Sequence, residues 1–94
     1  MRLKDYEVRA IKDSVHSLDK NARVYLFGSR VDDKKRGGDI DLIVVSEKMN
    51  YKDKLRIYTN IFKKLDEQKI DIILYNGKDD NFFVRDSLKE SIQL

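Results

Sequence analysis

Residues 23–45, RVYLFGSRVDDKKRGGDIDLIVV, decide how this chain folds. Arg23 to Phe27 is rich in β-branched and aromatic types and runs directly into Gly28, the pattern of a short strand that ends in a tight turn. Val31 to Gly38 is polar and closes on Gly37-Gly38, leaving room for one or two helical turns and then a turn into Asp39. Asp39 to Val45 reads as a second strand. Within it, alternation sends Asp39 and Asp41 to one face and Ile40, Leu42 and Val44 to the other.

On either side of this unit the periodicity changes from two to about 3.6. Val8, Ile11, Val15 and Leu18 recur at steps of three and four, predicting an amphipathic helix over residues 4–19. Tyr51, Leu55, Tyr58, Phe62 and Leu65 do the same across 51–67, predicting the longest helix, with that stripe laid against a sheet. Ile70 to Tyr75 reads as a third strand stopped by Asn76-Gly77. Its alternation places Asp71 opposite Ile70, Ile72 and Leu74. A last helix is expected over 81–92, where Val84, Leu88 and Ile92 fall four apart. The order of elements predicts a small α/β fold: a mixed sheet of three strands or slightly more, with helices packed mainly on one face.

Composition sets the background. With 94 residues, no Pro and 4 Gly, the chain suits a single domain, 1–94, with little linker. Charged residues make up 39% and apolar ones 40%, enough for a core under an ionised surface. A net charge of +3 is spread along the chain, and only Lys34-Lys35-Arg36 forms a basic cluster, so general nucleic-acid binding has little support. The absence of Cys excludes disulfide and thiol chemistry. The longest apolar run, Leu42 to Val45, is far too short to span a membrane, and the polar start Met-Arg-Leu-Lys-Asp-Tyr-Glu is unlike a secretory signal; a cytoplasmic location is expected.

The candidate site follows from the strands. Asp39 and Asp41 are neighbours whose oxygens can converge on one divalent cation or bridge two; without a cation they repel. If the third strand lies beside the second, Asp71 joins them on one rim, and three carboxylates so placed are best explained as a metal site. Gly28 permits close backbone approach to an anion. Ser29 offers a hydroxyl and backbone N–H groups at an expected helix start, and Arg30, with the Lys34 to Arg36 cluster, could add contacts to phosphate oxygens. Plainer roles exist for each part. Ser29 with Asp32 also fits a helix capping box, and Asp39-Ile40-Asp41 alone would suit a solvated strand entrance. His16 has no ligand partner and is read as a surface residue. Tyr51, Tyr58 and Phe62 are read as core, and Phe82-Phe83 as a possible oligomer or partner surface.

Leu26-Phe27-Gly28-Ser29-Arg30, Gly38-Asp39-Ile40-Asp41-Leu42 and Lys69-Ile70-Asp71-Ile72 together resemble the minimal nucleotidyltransferase (MNT) family of the DNA polymerase β superfamily. The resemblance implies a Gly-Ser pair at Gly28 and Ser29, an Asp-x-Asp pair at Asp39 and Asp41, and a third acidic residue at Asp71. It further implies two Mg²⁺ ions held by the aspartates, ATP as donor, and a proton-accepting role for Asp71. Relatives of this size act as antitoxins of HEPN-domain toxins, in some systems by transferring AMP to a toxin tyrosine. Two other functions fit the same residues: a non-catalytic module that occludes its partner, and a transferase acting on a small molecule such as an aminoglycoside.

Overall fold

A computed structural model describes residues 1–34, 38–65 and 69–94. Helix α1 (Asp5–His16) leads into strand β1 (Arg23–Phe27), a single 3₁₀ turn (Gly28–Val31) and strand β2 (Ile40–Val45). Helix α2 (Tyr51–Lys64), strand β3 (Ile70–Tyr75), helix α3 (Phe82–Lys89) and a short strand β4 (Ile92–Gln93) complete the chain. The strands form one sheet in the order β3-β2-β1-β4. β1 runs antiparallel to β2 and β4, whereas β2 and β3 are parallel and joined through α2. This is the small mixed α/β sheet expected from the sequence.

Period-two alternation gives the sheet two apolar faces. Val24, Leu26, Ile40, Leu42, Val44, Ile70 and Ile72 pack with Ala10, Ile11 and Val15 of α1 and Ile57 and Ile61 of α2. The opposite face carries Ile43 and Val45, with Tyr25, Phe27, Ile73 and Tyr75 beside them, and receives Val84 and Leu88 of α3. Burial on both faces explains why Leu42 to Val45 is an unbroken apolar run. Two helices thus cover one face, and the third covers only part of the other.

Helix starts follow capping chemistry that the apolar pattern does not reveal. Asn50 accepts from Asp53 N–H at 3.2 Å while Asp53 Oδ2 accepts from Asn50 N–H at 3.0 Å, a reciprocal box that begins α2. Asn81 Oδ1 accepts from Val84 N–H at 3.1 Å and begins α3.

Two expectations need correction, and parts of two others cannot be compared. The buried stripe of α2 is Ile57, Ile61 and Leu65, with Tyr58 half-buried; Tyr51, Leu55 and Phe62 are exposed. Both stripes have helical spacing, so periodicity alone could not choose between them. The last helix stops at Lys89 rather than continuing through 92, because Ile92 and Gln93 pair with Leu26 and Tyr25 along the free edge of β1. Sheet pairing overrides the four-residue spacing. Finally, residues 66 and 67 of the helix expected over 51–67, and Lys35 and Arg36 of the basic cluster, lie outside the described residues.

A buried carboxylate ties the sheet to the turn at its far end. Asp19 Oδ2 accepts from Ser46 Oγ at 2.6 Å, Asp19 Oδ1 accepts from Asn21 N–H at 3.0 Å, and Ser46 Oγ in turn accepts from Met49 N–H at 3.2 Å. The Ser46 hydrogen bond is the main influence holding the Asp19 pKa below its usual value, against the opposing cost of burial. A depressed folded-state pKa adds stability that is fully present above the unfolded value and lost as pH falls through the folded one. Asp19→Ala should therefore cost roughly 1–3 kcal/mol in a neutral-pH denaturant titration, and the gap from wild type should narrow in acid.

Candidate active site

The β2–β3 register puts Asp41 directly opposite Asp71, and the β1–β2 register puts Phe27 opposite Asp41. Asp71, Asp41 and the Gly28 turn therefore lie in a row across the sheet, on the face that α3 leaves partly open. Asp39 immediately precedes β2, and its Oδ2 lies 3.4 Å from Lys69 Nζ, the residue just before β3. Ile40 N–H donates to Lys69 O at 3.0 Å, locking these two entrances together.

Gly28 has φ of +78° and lies against the Asp41 carboxylate. A Cβ at this position would overlap Asp41 Oδ2, so glycine is required by both conformation and space. Gly38, with φ of +89°, has the matching relation to Ser29: a Cβ there would overlap Ser29 Oγ. The two motifs are thus interlocked, each glycine admitting the functional side chain of the other segment.

Ser29 does not cap a helix. The 3₁₀ turn begins at Gly28, its cap is Phe27, and no side-chain cap bond is made. The capping-box reading with Asp32 is overturned, since a four-residue turn closed by Asp32 N–H on Ser29 O leaves no helical start for Ser29 to cap. So short a turn also lacks an appreciable macrodipole; an anion here is held by individual N–H and hydroxyl groups. Arg30 serves as a brace: Nε donates to Gly38 O at 3.3 Å and Nη1 to Arg2 O at 3.0 Å. Arg2 returns the contact through Nη2 to Ser29 O at 3.2 Å and Nε to Asp32 O at 3.1 Å. The bracing role of Arg2 and the pairing of Lys69 with Asp39 carried no sequence signal, because both act through segments remote in the chain. Gly38 was visible as part of a turn and of the Gly38 to Leu42 stretch, but not as the residue that makes room for Ser29.

The electrostatics follow from this packing. Burial raises the Asp41 pKa, and the charges of Asp71 and Asp39 raise it further, with Lys69 opposing. Among the described residues no three acidic, His or Cys groups are arranged as a ready metal cage, and Asp39 is held by Lys69. The donor set nevertheless suits a hard divalent cation: carboxylate oxygens from adjacent strands, mutually repelling, beside a turn cleared of side chains. Gly28 and Ser29 also line a cleft of about 500 Å³ between the 3₁₀ turn and α3, with Phe27 and Phe83 as its aromatic wall and Asp32, Asp86 and Glu90 as its acidic side. Phe83 meets Phe27 edge-on at 6.4 Å, and both Phe83 and Phe82 are exposed. His16 stands apart; its Nε2 lies 3.0 Å from Ala22 O, where it fastens the end of α1 to the approach of β1.

Residues 9–94 match the family described as polymerase beta, nucleotidyltransferase. The chain belongs to that family. No curated protein matches the sequence. A nucleotidyltransferase domain accounts for an aspartate pair at the start of one strand, a third aspartate on its neighbour and a glycine turn packed against them. No helix among the described residues is long and apolar enough to cross a membrane.

Two measurements test this geometry. Because the folded-state pKa of Asp41 is raised, its ionised form opposes folding, fully above the folded value and not at all below the unfolded one. Asp41→Asn should raise Tm at neutral pH in metal-free buffer, with the gain vanishing in acid where the wild type is also protonated. Gly28→Ala should lower stability by at least about 1 kcal/mol in denaturant unfolding from its left-handed backbone alone, and abolish nucleotide-induced thermal stabilisation.

Proposed function

We propose that this protein is a Mg²⁺-dependent nucleotidyltransferase that moves AMP from ATP to a hydroxyl, most simply a tyrosine, of a partner HEPN-domain toxin and thereby acts as its antitoxin. The observation that carries the transfer reading is the register of Asp41 against Asp71 with Gly28 closed onto Asp41. The antitoxin role rests on the resemblance to minimal nucleotidyltransferases.

Asp39, Asp41 and Asp71 would hold Mg²⁺, which when bound neutralises their mutual repulsion and the charge of the phosphate oxygens. The acceptor oxygen forms a bond to the α-phosphorus as the bond from α-phosphorus to the α,β-bridging oxygen breaks, and pyrophosphate departs. Asp71, exposed on the edge strand, accepts the proton of the attacking hydroxyl. Ser29 and the backbone N–H groups of the turn hold the departing phosphates. Arg30 and Arg2 keep that turn in place through the backbone contacts described above. Such a reaction needs the leaving and attacking oxygens on opposite sides of the phosphorus. The row Gly28, Asp41, Asp71 supports this order, with pyrophosphate leaving over β1 and the acceptor approaching over β3.

A second reading, silencing of the partner by occlusion, has the Asp39–Lys69 ion pair in its favour, because that contact engages one carboxylate elsewhere.

With ATP labelled on the α-phosphate, the partner should become labelled in the presence of Mg²⁺ and not with chelator. Asp39→Asn combined with Asp41→Asn should reduce labelling by about a hundredfold or more, the scale of losing catalytic electrostatics. If that variant still neutralises the toxin, occlusion is the correct account; if it labels like wild type, the residue assignment is wrong.

A further inference from the structure

The stripe Tyr51, Leu55, Tyr58 and Phe62 is spaced 4-3-4 along α2, the a/d repeat of a helix that packs against another helix. In this fold Tyr58 packs against the core, and the other three positions stay about half open or more. Tyr51 is 68% exposed, Leu55 48% and Phe62 47%, while the neighbouring stripe Ile57 and Ile61 takes the sheet. The seam does have a fixed place. Tyr58 OH accepts from Ile72 N–H at 2.8 Å, so the stripe runs beside the outer edge of β3, the strand that carries Asp71.

The charge along α2 is mostly positive, although Arg56 Nη1 lies 3.7 Å from Asp53 Oδ1 and Asp71 stands on the adjoining strand. Helix α2 holds Lys52, Lys54, Arg56, Lys63 and Lys64 against Asp53 alone. Lys52, Arg56 and Lys63 fall on a common face next to the seam, on the side away from the sheet. Lys69 stands at the entrance of β3. Two copies of this helix would repel, so a second copy is a poor occupant. A single-stranded nucleic acid would need open ring faces. Here Tyr58 and Phe62 stack on each other, centroids 6.0 Å apart and planes at 25°, and Leu55 interrupts the aromatic series.

We infer that the α2 seam, with the outer edge of β3, docks an amphipathic helix of the acceptor protein whose apolar seam is flanked by acidic residues. The inference rests on the nucleotidyl-transfer reading for the word acceptor, since Asp71 lies on this edge and the leaving group on the other side. A helix seated here lies along β3, so that the chain beyond its end can bring a hydroxyl round the edge strand to Asp71. Leu55 and Phe62 are its central contacts, and Lys52, Arg56 and Lys63 set its charge.

The test uses three fluorescent probes without nucleotide: a three-heptad peptide with Leu at a and d and Glu at e and g, the same peptide with Lys replacing Glu, and a single-stranded RNA oligonucleotide. The acidic peptide should bind at least about tenfold more tightly than either alternative, and Leu55→Glu with Phe62→Glu should weaken it by about tenfold or more. Both positions are about half exposed and Phe62 stacks on Tyr58, so the variant should lose a little Tm but keep its thermal response to ATP and Mg²⁺. Equal binding of the two peptides, no binding of the acidic one, preferred binding of RNA, or a sedimentation dimer dissolved by the double substitution would each overturn the inference. A tyrosine added beyond the seam then separates the two claims: docking without AMP transfer defeats the transfer reading alone, and transfer undiminished by the seam substitutions defeats the docking inference alone.

Discussion

Two carboxylates held side by side on parallel strands are the constraint on which this structure turns. The β2–β3 register makes Asp41 and Asp71 nearest cross-strand neighbours, a pairing that sheets ordinarily avoid for like charges. Burial opposes the ionisation of Asp41, and the charges of Asp71 and Asp39 oppose it further. The fold tolerates this because the apolar residues of the same strands are buried in this register, and a slip of one in β3 would send Ile70 and Ile72 to the wrong face. Stability comes from the core, and the repulsion is carried as a local cost.

Everything near the carboxylates is arranged around that cost. Lys69 offsets part of it from the entrance of β3, and the Gly28 turn presents bare backbone to Asp41. Gly38 makes the same allowance for Ser29, while Arg30 and Arg2 fix the turn through backbone carbonyls. The arrangement is in keeping with the nucleotidyltransferase family to which the chain belongs.

Much of this was legible in the sequence because it depends on short-range geometry. Alternation alone assigned Asp39, Asp41 and Asp71 to the face opposite Ile40, Leu42 and Ile70, and the turn at Gly28 followed from its place after Phe27. Features set by distant packing were not legible. The choice of Ile57 and Ile61 over Leu55 and Phe62 as the buried stripe depends on how α2 sits on the sheet, and β4 exists only because the edge of β1 was free. The role of Arg30 as a brace needs the approach of Gly38 and Arg2, which no local pattern encodes. The misread stripe is informative: Tyr51, Leu55 and Phe62 keep an apolar repeat that the sheet does not bury.

The most direct test of the central claim is a crystal structure with Mg²⁺ and a non-hydrolysable ATP analogue. The account predicts metal coordinated by Asp39, Asp41 and Asp71, Asp39 released from Lys69, the terminal phosphates on the Gly28-Ser29 turn, and the α-phosphorus open toward β3. A nucleotide bound elsewhere, or phosphates on the turn with no metal on the three aspartates, would contradict it.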